Sequence, residues 1–248
     1  MEGQSHPTYF EQGLDHTVIS TSLYEPQHPH ITAFRMELAN WHTYYLEPRT
    51  LMRDDVPMAD VDSIGPRGQN LAAFLNTLKH KFPRDFDNLN LTLHRILPSN
   101  VSIDVDLLKE GRVGLKLSEN SIRYSARLIS EGTLRLIGLL CAIHPRNPST
   151  LIAFEEPENG IHPVRIKMIS DLLKNTAKQH EKQIVITTHS GVLSSYFNDT
   201  NLFVCSRQQK DHVTQTNIRP FKTLGPLFRG ADIDMCLEDR IIRGDFGG

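Results

Sequence analysis

Two glutamates stand side by side at the end of an apolar run, Glu155 and Glu156 in LIAFEEPENGIHP (Leu151 to Pro163), and they are the residues of this sequence best suited to chemistry. Adjacent carboxylates at the C-terminal edge of a buried strand are able to hold Mg²⁺ and to activate a water molecule, the arrangement of a nucleotide-hydrolysing site. Side chains alternate along a strand, so the two acids take different tasks: one faces the cation and its water shell, the other the attacking water. A second short apolar run, Ile184 to Thr188, leads into His189 and Ser190. Ligands of parallel α/β sheets bind beyond the carboxyl ends of the strands, which brings two acids and an imidazole to one rim. Upstream, Ser130-Glu131-Gly132 opens a long apolar stretch. Ser130 is placed to cap a helix whose free N–H groups favour phosphate, and Gly132 lets a backbone approach closely.

The elements that must position these residues follow from the periodicity. A helix over 132–144 leads through a Pro/Asn loop into the Leu151 strand. A helix over about 163–180 follows, with proline at its start and Ile166, Ile169, Leu173 and Ala177 on one face. The run Ile184 to Thr188 is short and β-branched, as expected of a strand buried on both faces of a parallel sheet. The stretch 128–190 therefore reads helix, strand, helix, strand, with a parallel crossover between the last two.

Before it, the spacing of Ile31, Phe34, Leu38, Trp41 and Tyr45 predicts a helix over 30–46 ended by Pro48. Further helices are expected over 69–81 and before Pro98, the latter carrying Phe86, Leu89, Leu93 and Ile96. From Val101 the period changes to two, giving a hairpin of 101–107 and 113–117, with a third strand at 121–126. A strand pair, 202–206 and 212–218, and a loop-like tail from Phe221 with a short helical stretch at 235–242 close the chain. The expected division is a loose segment 1–29, a helical and β-hairpin subdomain 30–127 and a C-terminal lobe 128–248.

Composition narrows the function classes. A chain of 248 residues, 39% hydrophobic and 23% charged, buries a substantial core, and its net charge of −2 leaves no overall nucleic-acid footprint. No apolar run reaches the roughly 18–20 residues of a membrane span and the N-terminus has no secretory pattern, so a cytoplasmic location is expected. Cys141, Cys205 and Cys236 form no C-x-x-C pair and read as reduced thiols. His28 and His30 have no acid or cysteine at ligand spacing, so metal binding is not expected there.

With these motifs in order, the chain resembles the ABC-type ATPase heads of the RecF and SMC class, above all the bacterial ATPases with an EEPENGIHP-like motif. The resemblance covers about residues 30–248 and implies an α/β fold: the C-terminal lobe of a P-loop ATPase, a mainly parallel sheet flanked by helices with a helical and β-hairpin subdomain. It implies that Leu151 to Glu156 is the Walker B strand, with Glu155 on the metal side and Glu156 polarising water. Asn159 to Pro163, with Asn159 and His162 on the nucleotide, is similar to the D-loop. His189 matches the switch histidine, and Ser130, Glu131 and Gly132 match the signature loop, with glutamate where the family usually has glycine. Glu131 puts a negative charge beside a phosphate site, or else points to solvent or a partner. The implied cofactors are ATP and Mg²⁺. The implied partners are a second head in a head-to-head dimer, or a chain supplying the phosphate loop, with DNA and a nuclease or toxin effector in repair or anti-phage defence, and no membrane.

One departure limits the expectation: no G-x-x-x-x-G-K-[ST] occurs in the 248 residues. ATP hydrolysis as part of a larger or split head is the first reading, and the isolated chain is expected to be inactive. The second is a non-hydrolysing module that completes a partner's ATP site. A third, minor reading takes Asp232-Ile-Asp234 as the metal-binding pair of a nuclease.

Overall fold

The computed structural model describes residues 17–20, 28–97, 101–179, 181–210 and 213–223. Helix α1 (Pro29–Ala39) is followed by β1 (Trp41–Tyr44), the two-residue β2 (Val56–Pro57), then α2 (Leu71–Lys81) and α3 (Pro83–Ile96). Strands β3 (Val101–Leu107), β4 (Arg112–Glu119) and β5 (Ile122–Ser125) precede α4 (Glu131–Ala142) and β6 (Leu151–Glu155). Helix α5 (Pro163–Gln179), β7 (Gln183–Thr187), the short α6 (Gly191–Ser195), β8 (Phe203–Lys210) and β9 (Val213–Pro220) complete the described chain. Asp232, Asp234 and the helical stretch expected at 235–242 lie outside the described residues.

The fold is α/β, and its central feature is a parallel sheet in the order β1-β6-β7. The crossover through α5 is the one expected, but β1 replaces the end of the helix predicted over 30–46. The helix stops at Ala39, where the N–H of Asn40 turns back to the carbonyls of Glu37 and Leu38. Trp-His-Thr-Tyr then runs as a strand with Trp41 opposite Leu151 and Tyr44 opposite Phe154. Two facts explain the misreading. Aromatic and β-branched residues favour a strand, and the apolar spacing that mimicked a helical stripe does not mark a packed face, since α1 buries no residue and Phe34 is 50% exposed. Tyr44 instead enters the core and stacks on Phe154 with ring centres 5.6 Å apart.

Strand β7 also corrects an expectation. Its residues alternate between half-buried and exposed, with Ile184 and Ile186 packed against the core and Val185 43% exposed. Parallel register puts Ile152 and Phe154 beside Ile184 and Ile186 on the covered face, and Ala153 and Glu155 beside Val185 and Thr187 on the other. A β-branched run suits a strand covered on one face as well as on two, so composition alone did not distinguish them.

The second sheet has the order β2-β4-β3, with β5 also pairing β4, all antiparallel. Helices α2 and α3 lie against it, and Asn90 fastens α3 to β3 by accepting from the Ile103 N–H (2.7 Å) and donating to the Ile103 carbonyl (3.2 Å). One continuous core joins both sheets, from Phe74, Leu78 and Leu93 through Val105 and Leu115 to Leu134, Ile137, Ile152 and Phe154. Beneath the parallel sheet, Asn147 is a buried junction: its amide donates to the Tyr44 hydroxyl and the Ala142 carbonyl, and its side-chain oxygen accepts from Ser149. The strand pair after α6 is longer than expected and forms its own two-stranded antiparallel sheet. Among the described residues no helix is long and apolar enough to cross a membrane.

Candidate functional site

The parallel ladder continues one residue past β6, because the Glu156 N–H donates to the Thr187 carbonyl at 2.9 Å. Glu155, the last strand residue, is exposed on the open face of the sheet, and its carboxylate has no hydrogen-bond partner among the described residues. Glu156 begins the turn with a left-handed backbone, φ +44°. That conformation is uncommon for a residue with a side chain and costs roughly 1–3 kcal/mol unless the surroundings enforce it. Here the enforcing contacts are the ladder bond, the buried Pro157 that follows and the Asn159 N–H donated to the Glu156 carbonyl at 3.0 Å. The Asn159 amide also donates to Glu156 Oε2 at 3.3 Å, so Asn159 orients the carboxylate.

The turn after β7 lies alongside. His189 Nε2 is 3.8 Å from Glu156 Oε1, and the imidazole is 95% exposed. Ser190 caps α6 by accepting from the Leu193 N–H. Between the two turns runs a link that the motif reading did not include: the Thr188 hydroxyl donates to Glu158 Oε1, and Thr188 Oγ1 accepts from the Ser190 N–H at 2.9 Å. Glu158 Oε2 is buried without a hydrogen-bond partner.

The third component is the start of α4. Ser130 Oγ accepts from the Thr133 N–H at 3.2 Å, the cap that its position foretold. Gly132 packs directly on the turn after β6: a Cβ there would lie 2.3 Å from the Gly160 carbonyl oxygen. Glu131 pairs with Arg49 Nε at 3.0 Å in a solvent-exposed ion pair. His162 is exposed, and its Nδ1 accepts from the Val164 N–H at 3.4 Å, at the start of α5.

The structure therefore gathers Ser130, Glu131, Gly132, Glu155, Glu156, Asn159 and His189 on one rim, with His162 at its border. It adds Arg49, Glu158, Thr188 and Arg135. The half-buried Arg135 has no hydrogen bond among the described residues; burial lowers its pKa, while Tyr45, Glu131, Glu156 and Glu158 oppose that shift. Two of these additions were readable in principle: Glu158 is the third acid of the same motif, and Arg135 stands one helical turn after Glu131. Arg49 was not, being 82 residues from the acid it meets.

Among the described residues no group of three metal-ligating side chains converges. A hydrated cation such as Mg²⁺ needs only one or two carboxylates beside substrate phosphates and water. Glu155, whose exposed carboxylate has no partner among the described residues, would be the group to hold one.

Comparison with solved structures finds SMC heads. One, from a study of ATP-driven dimerization and DNA-stimulated activation of SMC ATPases, is 17% identical over 60% of this chain and 91% of its own, with a TM-score of 0.45. The Pyrococcus furiosus Smc head bound to the C-terminal domain of ScpA is 17% identical over 60% of this chain and 37% of its own (TM-score 0.44). The Thermotoga maritima SMC head domain is 13% identical over 64% and 57% (TM-score 0.37). No curated protein matches the sequence. Residues 32–195 match the family model described as AAA domain, putative AbiEii toxin, Type IV TA system, and the chain thus belongs to this family of ABC-like ATPase domains.

Proposed function

We propose that this chain supplies the Walker B acids, the switch histidine and the signature loop of an ATP-hydrolysing site, and that the phosphate loop comes from another polypeptide segment. The observation that carries the reading is the meeting of two adjacent strand ends: Glu156 stands 3.8 Å from His189, with the start of α4 packed on the same turn through Gly132 and Gly160. Glu156 polarises the attacking water, His189 reaches the γ-phosphate and Glu155 takes Mg²⁺. Phosphoryl transfer asks mainly for positioning and charge stabilisation, so loss of Glu156 or His189 costs on the order of 10² or more in rate. The family's name points to a toxin or defence setting; the same proposal takes a second head as partner, DNA or an effector protein as the object of closure, and the cytoplasm as the location.

The missing G-x-x-x-x-G-K-[ST] favours an incomplete site over a self-sufficient one. Without backbone cradle and lysine the β- and γ-phosphates are unsupported. Phosphate release from ATP by the isolated chain is therefore expected at background level, and turnover that Glu156→Gln abolishes would overturn the incomplete-site reading. Adding a polypeptide that carries the phosphate loop should restore hydrolysis. If Glu156→Gln leaves that restored activity intact, Glu156 does not act on water.

A further inference from the structure

We infer that Glu158 is a positioning residue, which holds the His189 turn against the Glu156 turn through the Thr188 hydroxyl. The inference deepens the reading of Glu156 and His189 as the working pair and rests on it. Strands β6 and β7 are joined by ladder bonds only as far as the bond from the Glu156 N–H to the Thr187 carbonyl. Beyond it the two turns diverge: one goes on through Pro157 to Gly160, the other through Thr188 into α6. The imidazole of His189 is almost wholly in solvent, with Glu156 Oε1 3.8 Å from its Nε2. Its place is therefore set by the residues on either side.

Both neighbours are restrained through one oxygen. Thr188 Oγ1 accepts the Ser190 N–H and donates its one proton to Glu158 Oε1, so the hydroxyl's donor is committed and its direction is set by the carboxylate. Glu158 belongs to the turn that carries Glu156, and its own carbonyl accepts the Ile161 N–H at 2.9 Å. The carboxylate thus spans from one turn to the other where no backbone bond does. A hydrogen bond to an ionised acceptor is roughly twice as strong as a neutral one, which suits a link meant to fix a distance. Glu158 Oε2 is left buried with no hydrogen-bond partner, so the bond from Thr188 is the carboxylate's one side-chain hydrogen bond among the described residues.

The test needs no nucleotide, so it stands apart from the ATPase assay. In the full chain, the nuclear Overhauser effect (NOE) between the His189 ring and the Glu156 side chain reports the pairing, and amide exchange at Ser190 reports the Thr188 link. Glu158→Ala and Thr188→Val should each abolish the NOE and raise Ser190 exchange about tenfold or more, with exchange at Ile152 in the core unchanged. Thr188→Ser keeps the hydroxyl and should restore both signals. If Glu158→Ala does not fold, Thr188→Val carries the same test. An NOE that survives loss of the Thr188 hydroxyl overturns the inference, even if the melting temperature falls, because Glu158 is then only a stabilising residue. An NOE missing from the unaltered chain overturns it as well. A failed ATPase reading would show instead in the phosphate-release assay, with these signals intact.

Discussion

Adding one methyl group to Gly132 tests whether the start of α4 and the turn after β6 are locked together. The new Cβ would lie 2.3 Å from the Gly160 carbonyl oxygen and 3.2 Å from its carbonyl carbon. Ordinary contact begins at 3.4 Å, so the two segments must part by about 1.1 Å along that line. The obstacle is backbone, and no side-chain rotation relieves it. Overpacking of this kind costs about 1–3 kcal/mol, while alanine in place of glycine in a helix returns up to about 1 kcal/mol. The expected net loss is about 1–2 kcal/mol, which for a chain of this size lowers Tm by about 2–8 °C. Gly160→Ala is the control: nothing lies within 4 Å of its Cβ, and its φ of +74° imposes backbone strain alone. Thermal melts followed by circular dichroism, with hydrogen exchange at Ile161 to locate the opening, make the comparison. A Gly132→Ala chain as stable as the unaltered one, with Ile161 exchange unchanged, would refute the close approach and with it the coupling of the signature-like loop to the Glu156 turn.

Three further outcomes follow from the buried and paired groups. Burial pushes the Cys141 thiol well above its ordinary value, so iodoacetamide should label the exposed Cys205 in the native chain and leave Cys141 intact until the fold opens; fast labelling of Cys141, read by peptide mass, would contradict its packing. Asn147→Ala removes the bonds to Tyr44, Ala142 and Ser149 and should cost about 2–4 kcal/mol in urea unfolding; a change under about 1 kcal/mol would mean that the junction is not under tension from its buried partners. Asp104 lies between Lys79 and Arg123. Burial there favours the neutral acid, but the Lys79 hydrogen bond, the Val105 N–H and the two cationic charges outweigh it and hold the carboxyl below its ordinary 3.8. A carboxyl depressed in the folded state adds stability above the unfolded value and loses it as pH falls through the folded one. Asp104→Asn should therefore lower the urea midpoint at pH 7, and the gap should narrow as pH falls below the ordinary 3.8; a gap that does not narrow in acid would refute the assignment.

How much of the site was legible depends on the range of the interaction that makes it. The strands ending at Glu155 and Thr187, the crossover helix between them and the Ser130 cap are local patterns, so the sequence displays them directly. The rim location of Glu156 and His189 then follows from parallel topology alone. Strand β1 was hidden because Phe34, Leu38, Trp41 and Tyr45 keep a helical spacing across a boundary whose real cause is the pairing of Trp41 with Leu151 and Tyr44 with Phe154. That partner is more than 100 residues away, and no local window contains it. The same limit hid Arg49 opposite Glu131, and it concealed the job of Glu158, visible as an acid but not as a tether until β7 lay beside it.

The charges of the rim bear on what it lacks. Glu131, Glu155, Glu156 and Glu158 face inward or border the site, against Arg49 and Arg135, and Arg49 is already taken up by Glu131. A nucleotide triphosphate brought to this surface meets more negative than positive charge, and at a few ångströms each unopposed pair costs about 1–4 kcal/mol at the dielectric of a protein surface. Neither the N-terminus of α4 nor Arg135 alone offsets that. In the proposed complete site, a cation held by Glu155 would lower the repulsion, and a lysine from a phosphate loop would remove more of it. On the proposed reading, the acids assigned to water activation are also the groups that repel a nucleotide, so hydrolysis at this rim would depend on cations from beyond the described residues.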